Sequence, residues 1–116
     1  MEHLDYISFN QLITDIDNDK SDRKYKGEMP CIIDFYTTWC NPCKDVDQWL
    51  HKISEEFDGK IKIYKIDCEK EKSLAEKLNV CSYPHLMFMK TNELPKSIIG
   101  LYPYQYLREI VSNELL

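Results

Sequence analysis

A chain of 116 residues, 43 % hydrophobic and 30 % charged, has the length of one ordinary domain and enough apolar material to fold without disulfide staples. Its formal charge of −5 disfavours nucleic acid and anionic membrane as partners, because both select basic surfaces. Five cysteines are an odd count that cannot pair fully within one molecule, which favours a reducing compartment.

No apolar run approaches the ~20 residues of a membrane span. The opening "MEHLDYISFN" lacks the basic-then-apolar layout of a secretory leader, so a natural start at Met1 implies the cytosol. It also leaves little length for a first strand. "SFNQLITDI" predicts a short amphipathic helix, with Phe9, Leu12, Ile13 and Ile16 on one face and Ser8 as N-cap. The charged stretch 17–30 predicts an exposed, solvated loop. "CIIDFY", Cys31 to Tyr36, has the continuous apolar character of a strand covered on both faces, with a single acid inside it.

The next helix begins near Cys40. Val46, Leu50, Ile53 and Phe57 share one face, and Gly59 stands where helices end. "KIKIYKID" alternates as a strand does, and "EKSLAEKLNV" predicts a helix with Leu74, Ala75 and Leu78 inward. "HLMFMK" and "KSIIG", separated by "TNELP", suit an antiparallel hairpin. "YQYLREIVSNELL" closes the chain as an amphipathic helix through Tyr104, Leu107, Ile110, Val111 and Leu115. This order predicts an α/β layered domain spanning residues 1–116, its mixed sheet parallel inside and antiparallel at one edge.

The chemistry concentrates in "WCNPCK", Trp39 to Lys44. A C-x-x-C at a helix start meets unpaired N–H groups and a partial positive charge, which both favour a thiolate. The thiolate is the nucleophile of disulfide exchange. Cys40, at the exposed edge, is the expected attacking sulfur. Cys43, a turn further in and shielded, is the expected resolving one. Pro42 fits the first turn, where its missing N–H costs nothing. A zinc site needs about four ligands; Cys68, Cys81, His51 and His85 could complete a set, but no second spacing supports it. A purely structural disulfide makes poor use of a thiolate-favouring helix start.

"WCNPCK" after "IIDFYTT" resembles the thioredoxin family, and the likeness runs from about Ser8 to the C-terminus. Further matches stand in the family's order. "SYPH" resembles its cis-proline loop at Pro84, Asp34 falls on its buried aspartate, Lys65 on the neighbouring lysine, and Gly100 on the glycine of the loop beside the active site. The resemblance implies the thioredoxin fold, a central mixed β-sheet flanked by helices, here with the first strand short or absent. It also implies a redox-active Cys40–Cys43 disulfide with no metal and no bound cofactor, protein disulfide substrates, a flavin-dependent thioredoxin reductase as electron source, and a monomer.

Under that resemblance a cis bond at Pro84 turns the Tyr83 backbone towards Cys40, where a substrate strand could pair with it. Trp39, Pro42, Tyr83, Pro84 and Ile99 to Leu101 form the expected apolar docking patch, although a Trp also packs in cores. Asp34, among Ile32, Ile33 and Phe35, is expected to be buried with a raised pKa and to exchange a proton with Cys43. Lys65 reads either as a tuning charge or as a solvated strand residue. Cys31 is expected in the core, Cys68 in the core or partly exposed, and Cys81 near the site. His85 reads as a packing residue, His3 and His51 as surface ones.

Some positions depart from the family pattern. Asn41 replaces the usual Gly, and Gln48 stands where a kinking Pro is common, which predicts a straighter helix. Tyr83 replaces a smaller residue before Pro84, and the loop at 17–30 is longer than usual. The expected activity is reduction of protein disulfides. Its rivals are a pathway-specific oxidant, isomerase or dedicated electron donor, and a binding module with dispensable cysteines.

Overall fold

The computed structural model describes residues 1–116. Its centre is a five-stranded mixed sheet in the order β1-β3-β2-β4-β5. The strands are β1 (Glu2–His3), β2 (Cys31–Tyr36), β3 (Lys62–Asp67), β4 (His85–Met89) and β5 (Lys96–Ile99). β1 and β2 both run parallel to β3, while β4 is antiparallel to β2 and to β5. The first strand is thus present but only two residues long. The helices are α1 (Tyr6–Leu12), α2 (Asn41–Glu56), α3 (Lys72–Lys77) and α4 (Tyr104–Ile110), the last continuing as a π-helix over Val111–Leu115.

Strand alternation divides the core in two. Cys31, Ile33 and Phe35 point to one face, where they pack with Phe9, Ile66, Leu74, Met87 and Met89 from β3, β4, α1 and α3. Ile32 points to the other, against Val46, Leu50 and Ile53 of α2 and Leu107 and Val111 of the C-terminal helix. Leu50 and Ile53 have no exposed surface, so each contributes roughly 1.5–3 kcal/mol of apolar burial. β3 is buried on both faces rather than strictly alternating, with Tyr64 and Ile66 packed in one core layer and Ile63 in the other. Asp34 shares the α2 face with Ile32, directly opposite Lys65 in the β2–β3 register.

Several local expectations change. Asp5, not Ser8, caps α1. Its carboxylate accepts the Ser8 N–H at 2.8 Å, and the Ser8 hydroxyl accepts the Asp5 N–H at 2.9 Å, a reciprocal capping box. α1 ends at Leu12, which is 36 % exposed, while Ile13 and Ile16 are buried beyond it. The chain turns there because the Ile13 carbonyl accepts the Lys26 N–H at 2.9 Å.

The 17–30 loop is not wholly solvated. Tyr25 is buried, and its hydroxyl donates to the Met29 carbonyl at 2.6 Å. The backbone of Tyr25 is tied to Asn92 and Glu93 of the hairpin. α2 runs unbroken through Gln48 for 16 residues. Gly59, with φ at +77°, supplies the left-handed turn after it.

His85 is buried in the sheet with its ring edge-on to Phe35 at 5.3 Å. Neither ring nitrogen has a hydrogen-bond partner. Burial lowers its pKa, so the unfolded chain binds the proton more readily than the native one. The stability that this contributes is complete above the unfolded value of about 6.5 and is lost as pH falls towards the folded value. Denaturant titrations of wild type and His85→Leu should therefore show a stability difference that moves in favour of the variant as pH drops from 7.5 to about 5. A pH-independent difference would mean that His85 stays neutral in both states.

Candidate active site

β2 delivers the chain to α2 through Thr37, Thr38 and Trp39. The turn is fixed by Glu69, whose carboxylate accepts from the Thr38 N–H at 2.8 Å and from its hydroxyl at 2.5 Å. Cys40 is the N-cap of α2, and its sulfur accepts the Cys43 N–H at 3.3 Å. Pro42 lies in the first turn. Cys40 and Cys43 are joined by a disulfide, with Cα atoms 5.4 Å apart.

Burial does not separate the two sulfurs as expected, since Cys40 is 5 % and Cys43 4 % exposed. What distinguishes them is the cap. Cys40 sits outside the helix with its sulfur aimed at the free N–H groups, whereas Cys43 contributes one of those N–H groups. A thiolate released at Cys40 meets the positive end of α2.

Two loops close on this turn. The Tyr83–Pro84 peptide is cis, and Tyr83 lies edge-on to Trp39 at 6.1 Å. Gly100, with φ at +104°, donates its N–H to the Pro84 carbonyl at 2.9 Å. Trp39 is 68 % exposed, so it is a surface platform and not a core residue. Pro42 is exposed, as are Ile99 and Leu101. Pro84, expected in the exposed patch, is buried, and Tyr83 is half-buried beside Cys68.

A carboxylate is buried on the sheet face that α2 covers. Asp34 has no exposed surface, and neither oxygen has a hydrogen-bond partner. Lys65 Nζ stands 3.7 Å from Asp34 Oδ2. Burial raises the Asp34 pKa to about 7, with Lys65 opposing the shift and Asp47 adding to it. The Lys65 side chain is only 12 % exposed, which rules out the solvated-strand reading. Its ammonium is bonded to Asp47 on α2 and lies 4.6 Å above the Tyr36 ring.

Asp47 went unread in the sequence, although it stands one helical turn after Cys43 and so on the same face. An open groove of about 470 Å³ reaches this cluster, lined among others by Cys40, Cys43, Thr37, Asp47 and Lys65.

Of the remaining cysteines, Cys31 and Cys68 are buried and Cys81 is exposed. Burial pushes the Cys31 thiol up to about 12 and the Cys68 thiol up to about 11, so both are poor nucleophiles. No group of three or more His, Cys, Asp and Glu side chains stands at metal-binding geometry. His3 and His51 are exposed as expected, His3 bonded to the Tyr36 hydroxyl at 2.9 Å. No helix is long and apolar enough to cross a membrane.

The comparisons with known proteins agree with this geometry. The thioredoxin family model matches residues 11–113. A thioredoxin of Borreliella burgdorferi is 32 % identical over 101 residues, covering 87 % of this chain and 86 % of the relative. A thioredoxin of Staphylococcus saprophyticus is 34 % identical over 84 residues, 72 % of this chain and 81 % of its own. A chloroplastic M-type thioredoxin of Spinacia oleracea is 32 % identical over 100 residues, but only 55 % of its length is matched. The crystal structure of a chloroplastic thioredoxin z superposes with a TM-score of 0.77 over 97 % of this chain and 91 % of the other, at 24 % identity, which shows the shared fold. The chain belongs to the thioredoxin family of thiol–disulfide oxidoreductases.

Proposed function

We propose that this protein reduces protein disulfides through Cys40 and Cys43, using Asp34 as proton acceptor. The observation that carries the reading is the Cys40 sulfur as N-cap of α2, with the carboxylate of Asp34 buried on the sheet face that α2 covers. In the reduced protein the Cys40 thiolate attacks one sulfur of a substrate disulfide. A Cys40–substrate bond forms, and the other substrate sulfur leaves as a thiolate. Cys43 then gives its proton to Asp34, and its sulfur attacks Cys40. The Cys40–Cys43 bond forms, the mixed disulfide breaks, and the second substrate sulfur leaves. The substrate gains two electrons, and the protein ends as the disulfide.

Trp39, Pro42 and Tyr83 offer the apolar surface for an extended substrate segment, whose backbone pairs with Tyr83 beside the cis bond. Pro84 and Gly100 hold that loop in place. Lys65 tunes Asp34. A flavin-dependent thioredoxin reductase regenerates the dithiol, which needs no other cofactor. A reducing compartment, the cytosol, suits the three cysteines outside the pair.

The roles of the two sulfurs are tested by trapping. Cys40→Ser should abolish insulin reduction at the first step. Cys43→Ser should accumulate a mixed disulfide through Cys40. Alkylation of the reduced protein at neutral pH should label Cys40 well before Cys43. Adducts held through Cys43, or equal labelling, would reverse the assignment. A wild-type protein that is inactive on insulin yet retains a captured partner in its double Cys→Ser form would be a binding module instead.

Asp34→Asn should have effects of opposite sign on stability and rate. The folded pKa of about 7 lies above the ordinary carboxylate value of 3.8. Protonated Asp34 therefore favours the native state fully below about pH 4, and that advantage is lost as pH rises through 7. Asn mimics the protonated acid, so the variant should gain up to about 4 kcal/mol above pH 7 and almost nothing at about pH 4. Resolution of the mixed disulfide should slow by on the order of 100-fold, while the first attack changes less. Denaturation at the two pH values and stopped-flow exchange measure both. A variant that resolves at the wild-type rate would remove Asp34 from the mechanism.

A further inference from the structure

The Lys65 ammonium serves two carboxylates. It is bonded to Asp47, yet it stands 3.7 Å from Asp34. The Asp47 side chain is 34 % exposed and the Asp34 side chain 0 %. The ammonium is thus bonded to the part-exposed acid and only approaches the buried one, which has no hydrogen-bond partner at either oxygen. Asp47 lines the same groove as Cys40 and Cys43, and nothing in the exchange steps above uses it.

We propose that Asp47 is a positioning residue for disulfide exchange: by holding the Lys65 ammonium it leaves Asp34 incompletely paired, and so keeps that buried carboxylate a strong proton acceptor for Cys43. The proposal rests on the role given above to Asp34. A cation paired fully with a carboxylate lowers its pKa by about 1–3 units and weakens it as a base in proportion. A carboxylate with no cation nearby stays protonated when buried. Sharing the ammonium places Asp34 between these limits.

The surrounding charges fit this reading. On β2, Tyr36 lies under the ammonium, with Asp67 of β3 beyond it. On α2, Lys44 and Asp47 line the groove, and His51 Nε2 stands 3.6 Å from Asp47 Oδ2. From β4, Leu86 is the register partner of Asp34 and carries no charge. His85 packs against Phe35, on the opposite face of the sheet.

The test is a 13C titration of the Asp34 carboxyl in the reduced protein, in wild type, Asp47→Asn, Lys65→Met and the double variant. Asp47→Asn should lower the midpoint by about one pH unit. Lys65→Met should raise it, and Asp47→Asn should then add little. Asp47→Glu should restore the wild-type midpoint. The acid limb of the resolution rate should move with the titration. Asp47 is part-exposed on a helix, and circular dichroism checks that each variant is folded. An unchanged or raised midpoint in Asp47→Asn overturns the proposal. An equal drop in the Lys65→Met background also overturns it, because Asp47 would then act directly and not through the ammonium. The titration needs no turnover. Failure to reduce insulin therefore counts against the functional reading alone, and failure of the midpoint to move counts against this one alone.

Discussion

Burying a carboxylate in a central strand, on the face covered by the helix that carries the disulfide, is the constraint on which the rest of this structure depends. Asp34 sits in β2, a strand paired on both sides by β3 and β4. Its backbone cannot move outward without breaking two ladders, so its side chain cannot swing into water. The desolvation cost is met by the sheet's hydrogen bonds and by the apolar packing of Ile32, Leu50 and Ile53 on the same face. It is offset only in part by Lys65. Had Asp34 lain on an edge strand, solvent would have held its pKa near the ordinary value, and the acid would be a weak base at neutral pH.

The same rigidity positions the sulfurs. β2 ends at Tyr36, and the Thr38–Glu69 contacts fix the turn into α2. Cys40 and Cys43 thus sit on a helix start anchored by Val46, Leu50 and Ile53. The cis-proline loop and the Gly100 loop are tied to one another by a backbone hydrogen bond, at the N-terminal end of β4 and the C-terminal end of β5. Segments far apart in sequence converge at one end of the sheet, and no long flexible loop has to close before the chemistry can occur.

Much of this was legible because each signal was local. An acid inside an apolar run, a C-x-x-C at a helix start and a Pro after "CSY" are all readable without knowing the register. What escaped depended on distant pairing. Asp5 and Ser8 both carry capping side chains, and only the reciprocal bonds show that Asp5 is the cap. Ile13 and Ile16 continue a helical apolar pattern, but the Lys26 N–H ends the helix by occupying the Ile13 carbonyl. Tyr25 hides in a charged stretch because its anchor is the hairpin about seventy residues on. Asp47 was passed over because helix faces are read from their apolar residues. Its meaning appears only when β3 places Lys65 opposite Asp34.

Two buried groups of the sheet, Asp34 and His85, bias the fold in opposite directions. The native state binds a proton at Asp34 more readily than the unfolded chain does, and at His85 less readily. Stability varies with pH as the difference in protons bound between the two states. Just below about pH 6.5 the two differences have opposite sign and so oppose one another. Above it His85 no longer opposes Asp34. Ionising Asp34 then draws on the stability of the whole core, because its own contacts, a single ammonium shared with Asp47, do not compensate the charge.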